Sequence, residues 1–150
     1  LRDRFGAREN SRELFSTSHT TGPVLRGQLH PWGNAPPTAA RLNYCDKNCA
    51  AALSTEHLAI WNENNWIDRG ADDGFAATAP VGSFAAGDNA LGIKDAAGNV
   101  WELTTTETKR GIVQLRGGSW AYTPGWMRAS MYNQIAVTTV DDGVGFRCVR

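Results

Sequence analysis

The chain has 150 residues, and 15 Lys and Arg balance 15 Asp and Glu, so its formal net charge is zero. That balance argues against a generic binder of nucleic acid or anionic membrane, which carries a basic excess. No apolar run approaches the roughly 18 residues of a membrane span. With 41% hydrophobic and 20% charged residues, the composition is that of one ordinary globular domain. The 16 Gly and 6 Trp point to many tight turns fastened by large aromatic anchors. The first residue is Leu with no basic-then-apolar signal segment behind it, which reads as a processed chain or a fragment.

Residues 1–30 are polar, and Asn10-Ser11 offers a cap for a short helix that Gly22 and Pro23 would stop. From Pro31 onward, short apolar pieces alternate with turn residues. PWGNAPP (31–37) is a turn cluster with an aromatic anchor, and RLNYC (41–45) suits a short strand. Leu58, Ile60 and Trp61 fit either one turn of helix or a packed loop. DRGADDG (68–74) is an acidic loop. TAPVGSF, ALGIKDAAGNVWEL, VQLRGGSW and VGFRCVR follow, each short enough for a strand of about four to six residues. No helix longer than about two turns is expected. The fold class is therefore loop-rich α+β with short strands and no internal repeat.

The chemistry-bearing motifs are few. HExxH, a Gly-rich phosphate loop, GxSxG and CxxC are all missing from the sequence. Cys45 and Cys49 stand four apart, and His19, His30 and His57 lie at no zinc-ligand spacing to them. A turn disulfide and two free thiols both suit this pair, and a disulfide would imply an oxidising compartment. Cys148 fits a core strand. Two oxygen-rich segments stand out: Asn43-Tyr44 with Asp73-Gly74-Phe75, and Asp95 to Glu102. Calcium takes about six to eight oxygens from carboxylates, amides and loop carbonyls. From spacing alone, turn-forming and capping hydrogen bonds are the commoner role of the same residues.

PWGN (31–34), NYCDKNC (43–49), DDGFAATAPVGSF (72–84), LGIKDAAGNVWEL (91–103), LRGGSW (115–120) and VGFRCVR (144–150) occur in that order. Together they resemble the formylglycine-generating enzyme family, or sulfatase-modifying-factor domain, whose fold is a variant of the C-type lectin fold. The resemblance covers residues 31–150. They are then the C-terminal portion of such a domain, and residues 1–30 a divergent or truncated segment. It implies structural calcium at Asn43, Tyr44, Asp73 and Phe75, and again at Asp95, Gly98, Val100 and Glu102. Tyr44, Phe75, Gly98 and Val100 would act through their carbonyls.

The resemblance also implies what is missing. The two copper-binding cysteines of the family fall on Tyr122 and Met127, and neither supplies the thiolate that a Cu(I) site needs. No catalytic residue and no copper are therefore expected. The expected function is a non-catalytic, calcium-stabilised binding or structural module, extracytoplasmic in location. One alternative is a formylglycine-generating or sulfoxide-synthase-like oxidoreductase completed by missing parts. The other is a variable protein of a diversity-generating retroelement. Residues 121–143 combine aromatics and Met with few charges, which suits a protein or glycan partner. Tyr122, Trp126, Met127, Arg128 and Tyr132 are its expected contact residues. Solvent exposure of Tyr122, Trp126 and Tyr132 separates that surface from a local core. Trp32, Trp101 and Trp120 are expected core anchors.

Overall fold

The computed structural model describes residues 27–148 and one earlier two-residue strand. Strand β1 is Arg8–Glu9, and two short helices follow, α1 (Lys47–Ala52) and α2 (Thr55–Glu63). Strands β2 (Trp101–Lys109), β3 (Ile112–Arg116), β4 (Met131–Ala136) and β5 (Val144–Gly145) complete the regular structure. Single 3₁₀ turns occupy Ala85–Gly87 and Pro124–Met127. The expected cap at Asn10-Ser11 lies outside the described residues.

One sheet runs in the order β1-β4-β3-β2-β5. β2 and β3 form an antiparallel hairpin in which Leu103 faces Leu115, turning at Gly111 with φ +75°. β4 pairs antiparallel with β3, and β5 lies parallel to the start of β2 at Trp101 and Glu102. β5 thus leaves Leu103–Lys109 of β2 without a strand on that side among the described residues. Only Trp101 of β2 is buried; the Thr-rich remainder runs out towards solvent, where β-branched residues still favour the extended chain.

The core gathers Leu42, Tyr44, Ala97, Trp101, Leu115, Tyr122, Met127 and Ile135. Trp101 is the anchor expected of it, whereas Trp32 and Trp120 are only half-buried. The connecting segments are held by individual backbone bonds. Gly98 N donates to Gly117 O (2.8 Å), Asn99 N to Asn43 O (3.1 Å) and Trp101 N to Gly143 O (2.7 Å). Trp120 N in turn donates to Asn99 O (2.9 Å). Three separate parts of the chain, at Asn43, Gly117 to Trp120, and Gly143, are therefore stitched to residues 98–101. A Cβ at Gly98 would stand 2.2 Å from the Asn43 carbonyl oxygen, so only glycine fits there, and its φ of +78° suits glycine as well.

Three local expectations need correcting. Residues 41–45 are not a strand: the chain is extended, but Cys45 N bonds to Tyr122 O and Cys45 O to Asp68 N, so no ladder forms. TAPVGSF is likewise irregular, and its bonds go to the Asn99 side chain through Ala79 and to Asp95 through Gly82. Leu58, Ile60 and Trp61 lie on α2, which at nine residues slightly exceeds two turns and is capped by Ser54. Cys45 and Cys49 form a disulfide, with a Cα separation of 5.1 Å. It brackets the start of α1, whose cap Asp46 accepts from Asn48 N (2.7 Å) and Cys49 N (3.2 Å).

Two outcomes follow. Closing so short a loop stabilises by about 2 kcal/mol in the chain-entropy account. The double variant Cys45→Ser with Cys49→Ser is expected to lose that amount in urea unfolding. Gly98→Ala is expected to cost about 3 kcal/mol, because the backbone must shift. Gly92→Ala has a similar φ but open space around it, and should cost about 1 kcal/mol. Equal losses at the two glycines would show that the close approach to Asn43 does not matter.

Candidate functional site

The fold brings the first oxygen set together. Tyr44 N donates to Asp73 Oδ2 (2.9 Å), and Asn43 Nδ2 donates to Ala77 O (2.7 Å) and Asn99 Oδ1 (3.2 Å). Phe75 N closes the loop on Asp73 Oδ1 (2.9 Å). Asn43 is 1% exposed, yet its Oδ1 has no hydrogen-bond partner among the described residues. Burial raises the Asp73 carboxyl to about 6; the Tyr44 and Phe75 amides oppose the rise, and neighbouring Asp46 adds to it. The Tyr44 phenol is pushed well above its usual range by burial and by Asp68, to which its hydroxyl donates (3.3 Å).

A hard cation fits this arrangement. It would supply the missing partner of Asn43 Oδ1 and the countercharge that a buried Asp73 lacks among the described residues. No group of three or more His, Cys, Asp and Glu side chains is placed to hold a metal among the described residues. An ion here would therefore depend on amide and carbonyl oxygens, as calcium permits.

The second set is also brought together, but around a different cation. Arg147 Nε donates to Glu102 Oε2 (2.6 Å), and its Nη2 contacts Oε1. Nη1 reaches the Lys94 carbonyl (2.8 Å) and Nη2 the Asp95 carbonyl (2.9 Å). Asp95 Oδ2 accepts from Gly82 N (2.5 Å), while its Oδ1 is buried without a partner among the described residues. Gly98 packs on Asn43. With Glu102 engaged at both oxygens, these residues do not fit a calcium ion. The sequence reading missed Arg147, which lies 45 residues from Glu102. A single basic residue following an acidic, loop-rich segment is too common a pattern to single it out.

Residues 121–143 differ from expectation. Tyr122 is 7% exposed and meets the rings of Trp66, Trp101 and Trp126 at centroid distances of 5.2–6.2 Å. Met127, 1% exposed, lies under Gly118, where a Cβ would stand 2.5 Å from its Cγ. Tyr132 is buried under the Arg116 guanidinium, 5.4 Å from the ring centroid. The expected exposure of Tyr122 and Tyr132 is thus corrected. The 3₁₀ turn at Pro124–Met127 folds the aromatic anchors inward, and β4 carries Tyr132 into the sheet. Trp126 is half-buried against the core, and Arg128 faces solvent.

Positions 122 and 127 therefore present a buried phenol and a buried thioether. Cys45 and Cys49 are bonded to each other, and Cys148 is exposed far along the chain. This donor set does not fit copper(I), which asks for soft thiolates. An open depression of about 280 Å³, lined by Asn65, Ile67, Asp68, Thr123 and Pro124, holds one carboxylate. Asp68 already accepts from Tyr44 OH and Gly70 N, so the depression gathers no acid–base pair.

Residues 25–150 match the family described as the sulfatase-modifying factor enzyme 1-like domain. Two curated relatives, from Bos taurus and Mus musculus, are both named inactive C-alpha-formylglycine-generating enzyme 2, and each is 29% identical over 135 residues. The match covers 83% of this chain but 38% and 37% of those relatives, so the chain spans less than two-fifths of their length. The solved structure of PvdO from Pseudomonas aeruginosa superposes with a TM-score of 0.51 at 24% identity. The superposition covers 77% of this chain and 42% of that one. That likeness is one of fold: a loop-rich, C-type-lectin-like arrangement of short strands with little helix.

The burial of Met127 has a measurable consequence. Met127→Ala is expected to cost about 2–5 kcal/mol in chemical denaturation. Val140→Ala in the same segment is 97% exposed and should stay within about 0.5 kcal/mol of wild type. A small loss at Met127 would return that residue to the surface.

Proposed function

Because the chain belongs to the sulfatase-modifying-factor family, we propose that it is a non-catalytic, calcium-stabilised structural module of that family. The observation that carries the non-catalytic reading is the pair at positions 122 and 127. Where the family's copper-binding cysteines would stand, Tyr122 and Met127 are packed into the core instead of lining a site. No thiolate is available there to bind copper(I) or to form a covalent sulfur intermediate. The name of the two mammalian relatives, inactive formylglycine-generating enzyme 2, supports the same direction.

Calcium is proposed at Asn43, Tyr44, Asp73 and Phe75. The support is the unpartnered, buried Oδ1 of Asn43 and, through the next residue's amide, the bond from Tyr44 N to a carboxylate whose ionised form burial disfavours. When bound, the ion supplies charge neutralisation and cross-links the segment before α1 to the 73–77 loop. Asn43 and Asp73 would hold it through side-chain oxygens, Tyr44 and Phe75 through carbonyls. The proposed location is extracytoplasmic, supported by the Cys45–Cys49 disulfide, since such bonds persist in oxidising compartments. A protein or glycan partner at residues 121–143 loses support from the burial of Tyr122 and Tyr132. Trp126 and Arg128 remain the residues through which one would dock.

Two measurements test this reading. Calcium binding to the native state alone stabilises it by about 2.7 kcal/mol at a hundredfold excess over Kd. Chelation is therefore expected to lower the Tm, and Asn43→Ala or Asp73→Ala to abolish that response. Identical melting with and without chelator would overturn the calcium assignment. The purified chain, given copper(I), oxygen and a sulfatase-type cysteine peptide, is expected to form no aldehyde. Clear aldehyde production would restore the oxidoreductase reading.

A further inference from the structure

We infer that the guanidinium of Arg147, and not a calcium ion, is the cation of the Asp95–Glu102 oxygen set. This deepens the preceding reading by confining calcium to Asn43, Tyr44, Asp73 and Phe75, and it rests on that reading only for the identity of the competing ion.

The guanidinium gathers acceptors from two separate segments. Glu102 of β2 contributes both carboxylate oxygens, and the 94–95 loop contributes two consecutive carbonyls. Arg147 itself follows β5, which lies beside Glu102 through the Glu102–Gly145 pairing. The planar fork of arginine matches a carboxylate at two points and still has donors left for carbonyls. The pair is partly exposed, with side-chain exposures of 33% and 21% for Arg147 and Glu102.

Calcium would have to take oxygens from the same set at about 2.3–2.6 Å. It would then lie within a few ångströms of a positive charge, a repulsion that partial exposure to water weakens but does not remove. Among the described residues Asp95 Oδ1 is the set's one buried side-chain oxygen without a partner. With Glu102 engaged, an ion here would have that single side-chain ligand beside the Gly98 and Val100 carbonyls, short of the about six to eight oxygens that calcium takes. A covalently attached cation also cannot be removed by a chelator. The link between the 94–95 loop and the exit of β5 therefore persists in calcium-free solution.

The test counts calcium on the full 150-residue chain, by elemental analysis after dialysis against calcium and by calorimetric titration. Arg147→Ala releases Glu102 and the two carbonyls, and is expected to bind one more calcium per chain than wild type. Glu102→Gln is expected to leave the count unchanged. Equal counts in wild type and Arg147→Ala, or a calcium lost in Glu102→Gln, would overturn the inference. If Arg147→Ala fails to fold, the Glu102→Gln comparison decides. A count of zero in wild type and one in Arg147→Ala would uphold Arg147's role while overturning the calcium reading at Asn43 and Asp73. The two failures are thus distinguishable.

Discussion

The Asn43 carbonyl oxygen occupies the space that a side chain at position 98 would need, and the rest of the molecule is arranged around that approach. With so little helix and such short strands, regular ladders cannot hold the core segments in register. The work falls to residues 98–101, whose backbone bonds reach Asn43, Gly117 and Gly143 and receive Trp120. Asn99 extends the stitch through its side chain. Its Oδ1 accepts from Asn43 Nδ2 and Ala79 N, and its Nδ2 donates to Ala79 O. The residue adopts φ +66°, a left-handed conformation that Asn tolerates better than most residues. Both oxygen sets are built directly on this junction, the first at Asn43 and the second at the ends of the 95–102 segment.

The two sets solve one electrostatic problem by different means. A loop-rich fold turns many carbonyls and carboxylates inward, and each needs a donor or a cation. Asp46 finds three backbone donors, at Asn48, Cys49 and Asp73. Glu102 finds a guanidinium. Among the described residues Asp73 finds two amides but no positive charge, and Asn43 Oδ1 finds nothing. The difference between a self-sufficient cluster and one that gains from an ion is thus set by a single basic side chain reaching in from the far end of the chain.

Sequence reading recovered the features that residue type and local spacing determine. The short apolar pieces between Gly-rich turns indicated loop-rich α+β, and Trp101 was read as a core anchor, which it is. Cys45 and Cys49 were read as a possible pair, but their spacing suited a bond and free thiols equally. What escaped was decided by distant partners. RLNYC has strand-like residues, yet its backbone bonds diverge to Tyr122, Asp68 and Asn99, so it never joins a ladder. MYNQIA carries three polar-capable side chains and was read as part of the partner-binding segment 121–143; β3 pairs with it, and Tyr132, Asn133 and Ile135 are buried. An aromatic-rich, charge-poor segment looks the same whether it faces a partner or its own core. Only the packing of Tyr122 among Trp66, Trp101 and Trp126 distinguishes the two.

The side of β2 that carries no strand among the described residues has a consequence for how copies of the chain behave in concentrated solution. A long strand with one free edge is a template on which another molecule's strand can add, the first step towards ordered aggregates. Here the exposed stretch carries Glu107 and Lys109, and its pairing with β3 shifts register between Leu103 and Glu107 and again before Lys109. Charges along the rim and an uneven backbone make a poor surface for a second strand to zip onto. The same irregularity in the pairing of β2 with β3 therefore acts as protection against self-templating.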